Sequence, residues 1–455
     1  MLTCTIKEII TVTEGTLLQG TPDVLVDGVA TDSRKVKSGD IFVALQGQQV
    51  DGHDFIQKAV ELGAVALLVA HRVETVPATV PVIQVTNTLQ ALQELAAYNR
   101  LRKAIPVVAI TGSNGKTSTK DMIAAVLQIR YHTLKTEANY NNELGLPLTL
   151  LNLQQEHQAA VVEMGMRGSG EIDFLAGLAK PTGAVITTIG EAHLERLGSV
   201  HNIALAKTEV LEHIREEGFA LLNGDSPWLR ELATRCRGKV WFYSLQGNAD
   251  IVAHNIRPEE GGVRYEVTYP GGAGEIYLPV PGSHNVMNSL AAIGVGLQLG
   301  LTFEEITRGL AQVALSHMRL EILQSHGMTI INDTYNASPS STKAAIGVLQ
   351  ETNRGRKIAV LGNMYELGAM EEVGHREVGE AAARAGVDHL IAVGNLAQWI
   401  AAGGITGGLT QEQVHHCEDN SQAIAVLRTI IKSGDTILVK GSRGMTMEQI
   451  VKELT

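Results

Sequence analysis

Cysteine is scarce in this chain, with three in 455 residues: Cys4, Cys236 and Cys417. They lie far apart and form no C-x-x-C pair, which argues against a disulfide scaffold or a thiolate metal site and fits a reducing compartment. Long apolar runs are missing too. The best of them, AVALLVA at 64–70, is far too short to span a bilayer. The opening MLTCTIKEII carries an acidic residue and no apolar signal core. Basic residues are in deficit: 37 Lys and Arg against 48 Asp and Glu give a net charge of −11. A field of that sign disfavours nucleic acid and anionic membranes, so an anionic substrate has to be captured by local donors. No short-period repeat and no low-complexity segment breaks the chain. The expectation is a cytoplasmic, monomeric protein whose partners are small molecules.

One further absence is local. PVVAITGSNGKTSTKDMIAAVLQ, residues 106–128, runs an apolar strand through a glycine-bearing turn into a helical pattern. It resembles G-x-x-x-x-G-K-[ST], but Ile110 stands where the first glycine belongs. The rest of the loop keeps its chemistry. Gly112 and Gly115 let the backbone approach a polyphosphate closely, and the N–H groups of Ser113, Asn114 and their neighbours can form an anion nest. The helix that follows adds its amino-terminal dipole, Lys116 neutralises β/γ oxygens, and Thr117 and Ser118 supply hydroxyls, Thr117 toward Mg²⁺.

The length suggests about three domains. LQALQELAAYNRLRKAIP looks like a closing helix before a proline break, which puts a boundary near residue 104. Strands then alternate with helices to about residue 240, implying a parallel sheet. From KVWFYS to LPVPG the pattern changes to short runs between Gly/Pro turns, suggesting an antiparallel patch. A second strand–helix series starts near MTIIND. The expected fold is α/β with three domains, 1–104, 105–316 and 317–455. Six strands end in polar loops: VVAI in TGSNGKTS, AAVVE in MGMRGSG, GAVITT in IGEAHLERLGS, MTIIND in TYNASPS, KIAVL in GNMYELG, and DTILV in KGSRGM. Open α/β sheets bind ligands beyond the carboxyl ends of their strands. Six such loops in two domains predict a ligand held by both.

Two residues are metal candidates by position. Glu163 closes an apolar strand, where a carboxylate needs a cation or hydrogen bonds to stay ionised; a helix-capping role would also place it there. His193 follows the next strand, where a surface histidine is equally at home. Oxygen ligands suit Mg²⁺, and histidine is an unusual partner for it. Lys207 sits on a helix among apolar residues, as a snorkelling lysine also does.

TGSNGKTSTK, TEANYNNELGLPLTLL, VVEMGMRGSGEI, EAHLERLGSVHNIALAKTE, GSHNVMNSLAA, MRLE, NDTYNASP and VKGSRG occur in the order found in the Mur ligases, and the chain resembles that family over nearly its whole length. The resemblance implies an ATP-dependent amide ligase of peptidoglycan precursor synthesis acting through an acyl phosphate. It implies a UDP-binding first domain (TDSRKVKSGDIFVAL), a central ATPase-like domain and a Rossmann-like last domain. The family's own phosphate loop also lacks the first glycine. Within the family, NDTYNASP and VLGNMYELG resemble the branch that joins D-alanyl-D-alanine to a UDP-N-acetylmuramoyl-tripeptide, and the D-N-P-R motif of the branch adding the third amino acid is absent. Another Mur-type ligase or a folylpolyglutamate synthase is the alternative. By resemblance, Gly112 to Ser118 hold the ATP phosphates, with Lys116 on the transferred group. Thr117, Glu163 and His193 hold Mg²⁺, at two sites, and Lys207 is carbamylated to support the second ion. Asn288, Arg319, Asp333, Tyr335 and Asn336 contact the nucleotide, with Lys116, His193, Lys207 and Arg319 serving catalysis. Ser33 and Arg34 face the UDP group, and Asn139 and Asn142 the middle of the substrate.

Overall fold

The computed structural model describes residues 2–47, 49–73, 76–351 and 355–455. The chain forms two compact units: residues 1–109, 131–166 and 171–183 in one, and 110–130, 167–170 and 184–455 in the other.

In the first unit, five strands lie in the order Thr16–Gln19, Val82–Gln84, Ala66–Val69, Asp40–Val43, Gly28–Ala30. The first pairs antiparallel and the rest parallel. Asp40–Val43 and Ala66–Val69 are buried along their whole length, as strands covered on both faces must be. The helix Thr88–Leu101 starts where Asn87 Oδ1 accepts the N–H groups of Leu89 and Gln90, satisfying two orphan donors. Its end is fastened by polar groups. Asn99 Nδ2 donates to the carbonyls of Leu150, Leu151 and Leu153, and the buried Arg100 guanidinium to those of Ala179, Lys103, Ile105 and Lys180. The helix that the proline break closes is therefore pinned within its unit.

In the second unit, Phe219–Asn223, Lys239–Ser244 and Ile251–Glu259 run parallel, and Gly262–Tyr269 and Gly272–Leu278 add two antiparallel strands. The expected antiparallel patch thus begins at residue 251, not at 239. Lys239–Ser244 meets the next strand at only two positions, Tyr243 with Ile251 and Ser244 with Val252. A six-residue link suffices for so short an overlap, and Asp250 closes it by accepting the Phe242 N–H at 2.8 Å. Further on, six strands follow the order Glu321–Ser325, Met328–Asn332, Thr436–Lys440, Lys357–Gly362, His389–Val393, Val414–Cys417. Only the edge strand Glu321–Ser325 is antiparallel. Alternate residues of one strand serve two cores: Ala359 and Leu361 on one face, Ile358 and Val360 on the other. That is the period-2 signature of a sheet covered by helices on both sides. All six strands nominated from the sequence are present, and each runs into its polar loop.

Candidate nucleotide site

The phosphate-type loop lies in the second unit, and its glycines are dictated by sterics. Gly112 has φ +148°, and a Cβ there would stand 1.9 Å from Thr187 Oγ1; Gly115 has φ +83°, and its Cβ would stand 2.6 Å from Asn288 Oδ1. No other residue fits either place. The loop is tied to the residues after the strand Gly183–Ile186. The Ser113 N–H donates to the Thr188 carbonyl (2.8 Å), the Asn114 N–H to Thr188 Oγ1 (2.9 Å), and Thr187 Oγ1 to the Asn114 carbonyl (2.6 Å). Lys116 opens the helix Lys116–Leu127 and donates from Nζ to the Gly112 carbonyl at 2.8 Å, so its ammonium curls over the loop. The helix begins at the loop, so the positive end of its dipole lies there.

Residues remote in sequence converge here. Arg319 Nη2 lies 3.4 Å from the buried Thr117 hydroxyl, and its guanidinium stacks 4.1 Å from the centre of the Tyr335 ring. Asp333 accepts the Leu320 N–H and the Lys440 ammonium, the latter at 2.5 Å, and Lys440 also donates to the Asn336 carbonyl. Burial drives the Lys440 pKa down, with Asp333 opposing and Arg319 adding to the fall. Asn114 donates to Ser340 Oγ (3.0 Å) and accepts from Ser338 Oγ (3.2 Å), and Ser340 donates to Glu191. Asn288 is buried, donating to Asn285.

His193 sits at φ +68°, with Nδ1 2.6 Å from Glu366 Oε2. Burial lowers its pKa, Glu366 works against that, and the Lys207 and Lys116 ammonium groups reinforce it. Lys207, on the helix Val200–Glu212, is 2% exposed. A snorkelling lysine would reach water, and this one does not. Its pKa falls well below that of a free lysine, first through burial and then through Lys116.

The remaining nominated residues belong to the first unit. Glu163 ends the strand Ala159–Glu163, 3% exposed, and accepts from Asn141 Nδ2 at 2.8 Å. Asn142 Oδ1 accepts the N–H groups of Leu144 and Gly145 at the start of a helix, and Asn139 is exposed. Ser33 is buried, while Arg34 is 84% exposed and grips Asp32 with two nitrogens. Asp51, His53 and His71 form a cluster of three potential metal ligands among the described residues. His53 faces Asp51 through Nδ1 (2.6 Å) and accepts the Ala70 N–H through Nε2 (2.9 Å), so both ring nitrogens are occupied and the group pins a turn.

Sequence reasoning passed over Thr187, Thr188, Asn141, Glu366 and Lys440. The two threonines follow a strand in VITTIG, and Lys440 ends an apolar run in DTILVK, signals that mark strand-end donors. Nothing local marks Glu366 as a partner of His193.

Family models match three stretches: "Mur ligase family, catalytic domain" over residues 25–100, "Mur ligase middle domain" over 110–296, and "Mur ligase, glutamate ligase domain" over 318–443. The UDP-N-acetylmuramoyl-tripeptide–D-alanyl-D-alanine ligase of Bacillus subtilis (strain 168) is 40% identical over 457 residues, covering 100% of this chain and 99% of the relative. The chain belongs to the Mur ligase family. As a Mur ligase it is an ATP-dependent enzyme. A crystal structure of MurF from Acinetobacter baumannii is similar, with TM-score 0.91, 32% identity, and 100% and 99% of the two chains covered. MurF ligase from Thermotoga maritima in complex with ADP gives TM-score 0.83 and 29% identity over 94% and 97%. Among the described residues no helix is long and apolar enough to cross a membrane.

Proposed function

We propose that this Mur ligase joins D-alanyl-D-alanine to UDP-N-acetylmuramoyl-tripeptide, consuming ATP, in cytoplasmic peptidoglycan precursor synthesis. The observation that carries this reading is the end-to-end 40% identity with the Bacillus subtilis ligase of that name. The chemistry follows from physical need. A carboxylate is a poor acylating agent, so its oxygen attacks the γ-phosphorus, the bond to the β-phosphate bridge breaks, and ADP leaves. The neutral amine of the dipeptide then attacks the acyl carbon, and the tetrahedral oxyanion collapses to amide and phosphate. Phosphoryl transfer is mainly positioning and charge neutralisation, the work of Lys116 and Arg319. Gly112 to Ser118 hold the phosphates, and Asn288, Asp333, Tyr335 and Asn336 complete the nucleotide contacts. Ser33 and Arg34 bind the UDP group, and Asn139 and Asn142 the middle of the substrate. The monomer divides functionally into segments 1–104, 105–316 and 317–455.

The donors fit Mg²⁺. Glu163 is a buried carboxylate and Thr117 a buried hydroxyl, both hard oxygen donors. His193 and Lys207 complete the set. Bound there, Mg²⁺ supplies positive charge to the phosphate oxygens. Lys207 is suited to carbamylation, since burial and Lys116 favour its neutral amine. That nitrogen bonds to the carbon of CO₂ and releases a proton, turning a buried cation into an oxygen-donating anion.

The test is phosphate release in drop-out mixtures. Rapid release is expected only with ATP, Mg²⁺, UDP-muramoyl tripeptide and D-alanyl-D-alanine together. D-alanine alone should be a poor substrate, because a site built on polar groups rejects a ligand that leaves them unpaired. Turnover with a UDP-muramoyl dipeptide plus diaminopimelate or lysine, and none with the dipeptide nucleophile, overturns the assignment.

A further inference from the structure

Asp121 lies one turn along from Thr117 on the helix Lys116–Leu127, so the two side chains share a face. Each meets a residue far along the chain, 195 and 202 positions on. Asp121 Oδ2 accepts both the N–H of Ser316 (2.9 Å) and its hydroxyl (2.6 Å). Three residues later, Arg319 Nη2 reaches the Thr117 hydroxyl at 3.4 Å. The segment 316–319 is therefore laid back along the helix toward the glycine loop. Its other side is held too. The Met318 carbonyl accepts the Tyr335 N–H (3.3 Å), and the Leu320 N–H donates to Asp333 Oδ1 (3.2 Å). Met318 and Leu320, the two neighbours of Arg319, both hold left-handed backbone, φ +61° and +47°. Neither is a glycine, and such strain persists where the surroundings enforce it. A plain connecting segment requires none of this.

We propose that Asp121 is a positioning residue for the reaction: through Ser316 it fixes where the Arg319 guanidinium lies beside Thr117. The carboxylate suits the task. Its side chain is 1% exposed, and hydrogen bonds to an ionised group are shorter and roughly twice as strong as neutral ones. Its second oxygen faces the Lys120 ammonium at 3.5 Å, on a side chain also 1% exposed, so the buried charge is balanced. Arg319 depends on such a brace. Its Nε is buried without a hydrogen-bond partner, and the stack on Tyr335 sets the plane of the guanidinium without stopping it from sliding over the ring. A charge aimed at a transferring phosphoryl group has to be placed to within about 0.5 Å. This rests on the reading of Arg319 as a group that neutralises that phosphoryl.

The experiment is a mutant cycle read by phosphate release with ATP, Mg²⁺, UDP-muramoyl tripeptide and D-alanyl-D-alanine. In Asp121→Asn the amide can turn its one oxygen to Lys120 or to Ser316, and the buried ammonium claims it. That variant should lose roughly 10- to 100-fold in kcat, with KM for the UDP substrate unchanged. Ser316→Ala, at a half-buried position, should fold normally and lose roughly 2- to 10-fold in kcat; Ser316→Thr, which restores the donor, should recover most of it. Arg319→Ala should cost on the order of 10² or more. In the Arg319→Ala background, Asp121→Asn and Ser316→Ala should each add less than about twofold, because their effect runs through the missing guanidinium. A merely structural carboxylate would lower the melting temperature and multiply with Arg319→Ala. Full multiplication, or normal kcat in both single variants, overturns the proposal. If Asp121→Asn does not fold, Ser316→Ala and its double variant decide alone. If Arg319→Ala itself turns over normally, the reading of Arg319 fails, and the proposal with it.

Discussion

Arg34 and Arg319 are both assigned to a ligand, but the protein treats them in opposite ways. Arg34 is 84% exposed and already engaged by Asp32, whose carboxyl its guanidinium holds down at about 2. Arg319 is half-buried, its Nε lies buried without a hydrogen-bond partner, and Tyr335 lies flat beneath the guanidinium. Lys440, a cation withdrawn from water, lies close enough to Arg319 to feel its charge. In water an opposite charge at 4 Å is worth about 1 kcal/mol, and several times more near a protein interior. Charge meant for a developing transition state is worth burying and bracing. Charge meant only to hold a substrate can stay solvated.

The comparison breaks most visibly at Lys116. Lys116→Ala should cost on the order of 10²–10³ in kcat or more with the fold intact; near-normal phosphate release would remove the nucleotide assignment. Lys207 comes next. Lys207→Ala and Lys207→Arg should both be inactive, since arginine keeps the charge but forms no carbamate, and a small carboxylic acid should partly restore only the alanine variant. Full activity of Lys207→Arg would mean that the site wants a cation there. A middle-sized effect is expected at Tyr335. Losing a cation–π contact worth about 0.5–2 kcal/mol, Tyr335→Leu should lower kcat/KM roughly 2- to 30-fold, with the loss in kcat. Arg34→Ala should raise KM for the UDP substrate less than about tenfold and leave kcat alone; a fall in kcat would erase the contrast.

The smallest effect is a pH response. Asp32 has a folded pKa of about 2 against an ordinary value of 3.8, through its hydrogen bonds to Arg34. A lowered acid stabilises above its unfolded pKa and loses that contribution as pH falls through the folded one. The protection factors of the amides at residues 33–35, corrected for the intrinsic pH dependence of exchange, should therefore be unchanged from pH 8 down to about 4 and fall between about 4 and 2. A fall already at pH 5 would show that the pair does not hold in solution.

Much of this was legible in the sequence because it is written locally. Gly112, Gly115, Lys116 and Thr117 sit within six residues, and each polar loop follows its own apolar strand. What stayed hidden depends on packing between distant segments. Lys207 lies in a helical apolar pattern that cannot say whether the lysine's tip reaches water. Asp333 looks like any strand-end carboxylate until Lys440, 107 residues on, is laid beside it. Glu366 has no local signature at all. The short parallel overlap at Tyr243 and Ile251 was missed because Gly/Pro turns usually announce hairpins.

Asn114 and Ser340 are hydrogen-bonded across 226 residues of chain. At a synthesis rate of roughly 5–20 residues per second, about 11–45 s pass on the ribosome between the making of the two. The lysine loop emerges early, and the serines that brace it do not yet exist. For that interval the nascent polypeptide carries the loop with an unfinished rim, and the completed rim is a late event of translation.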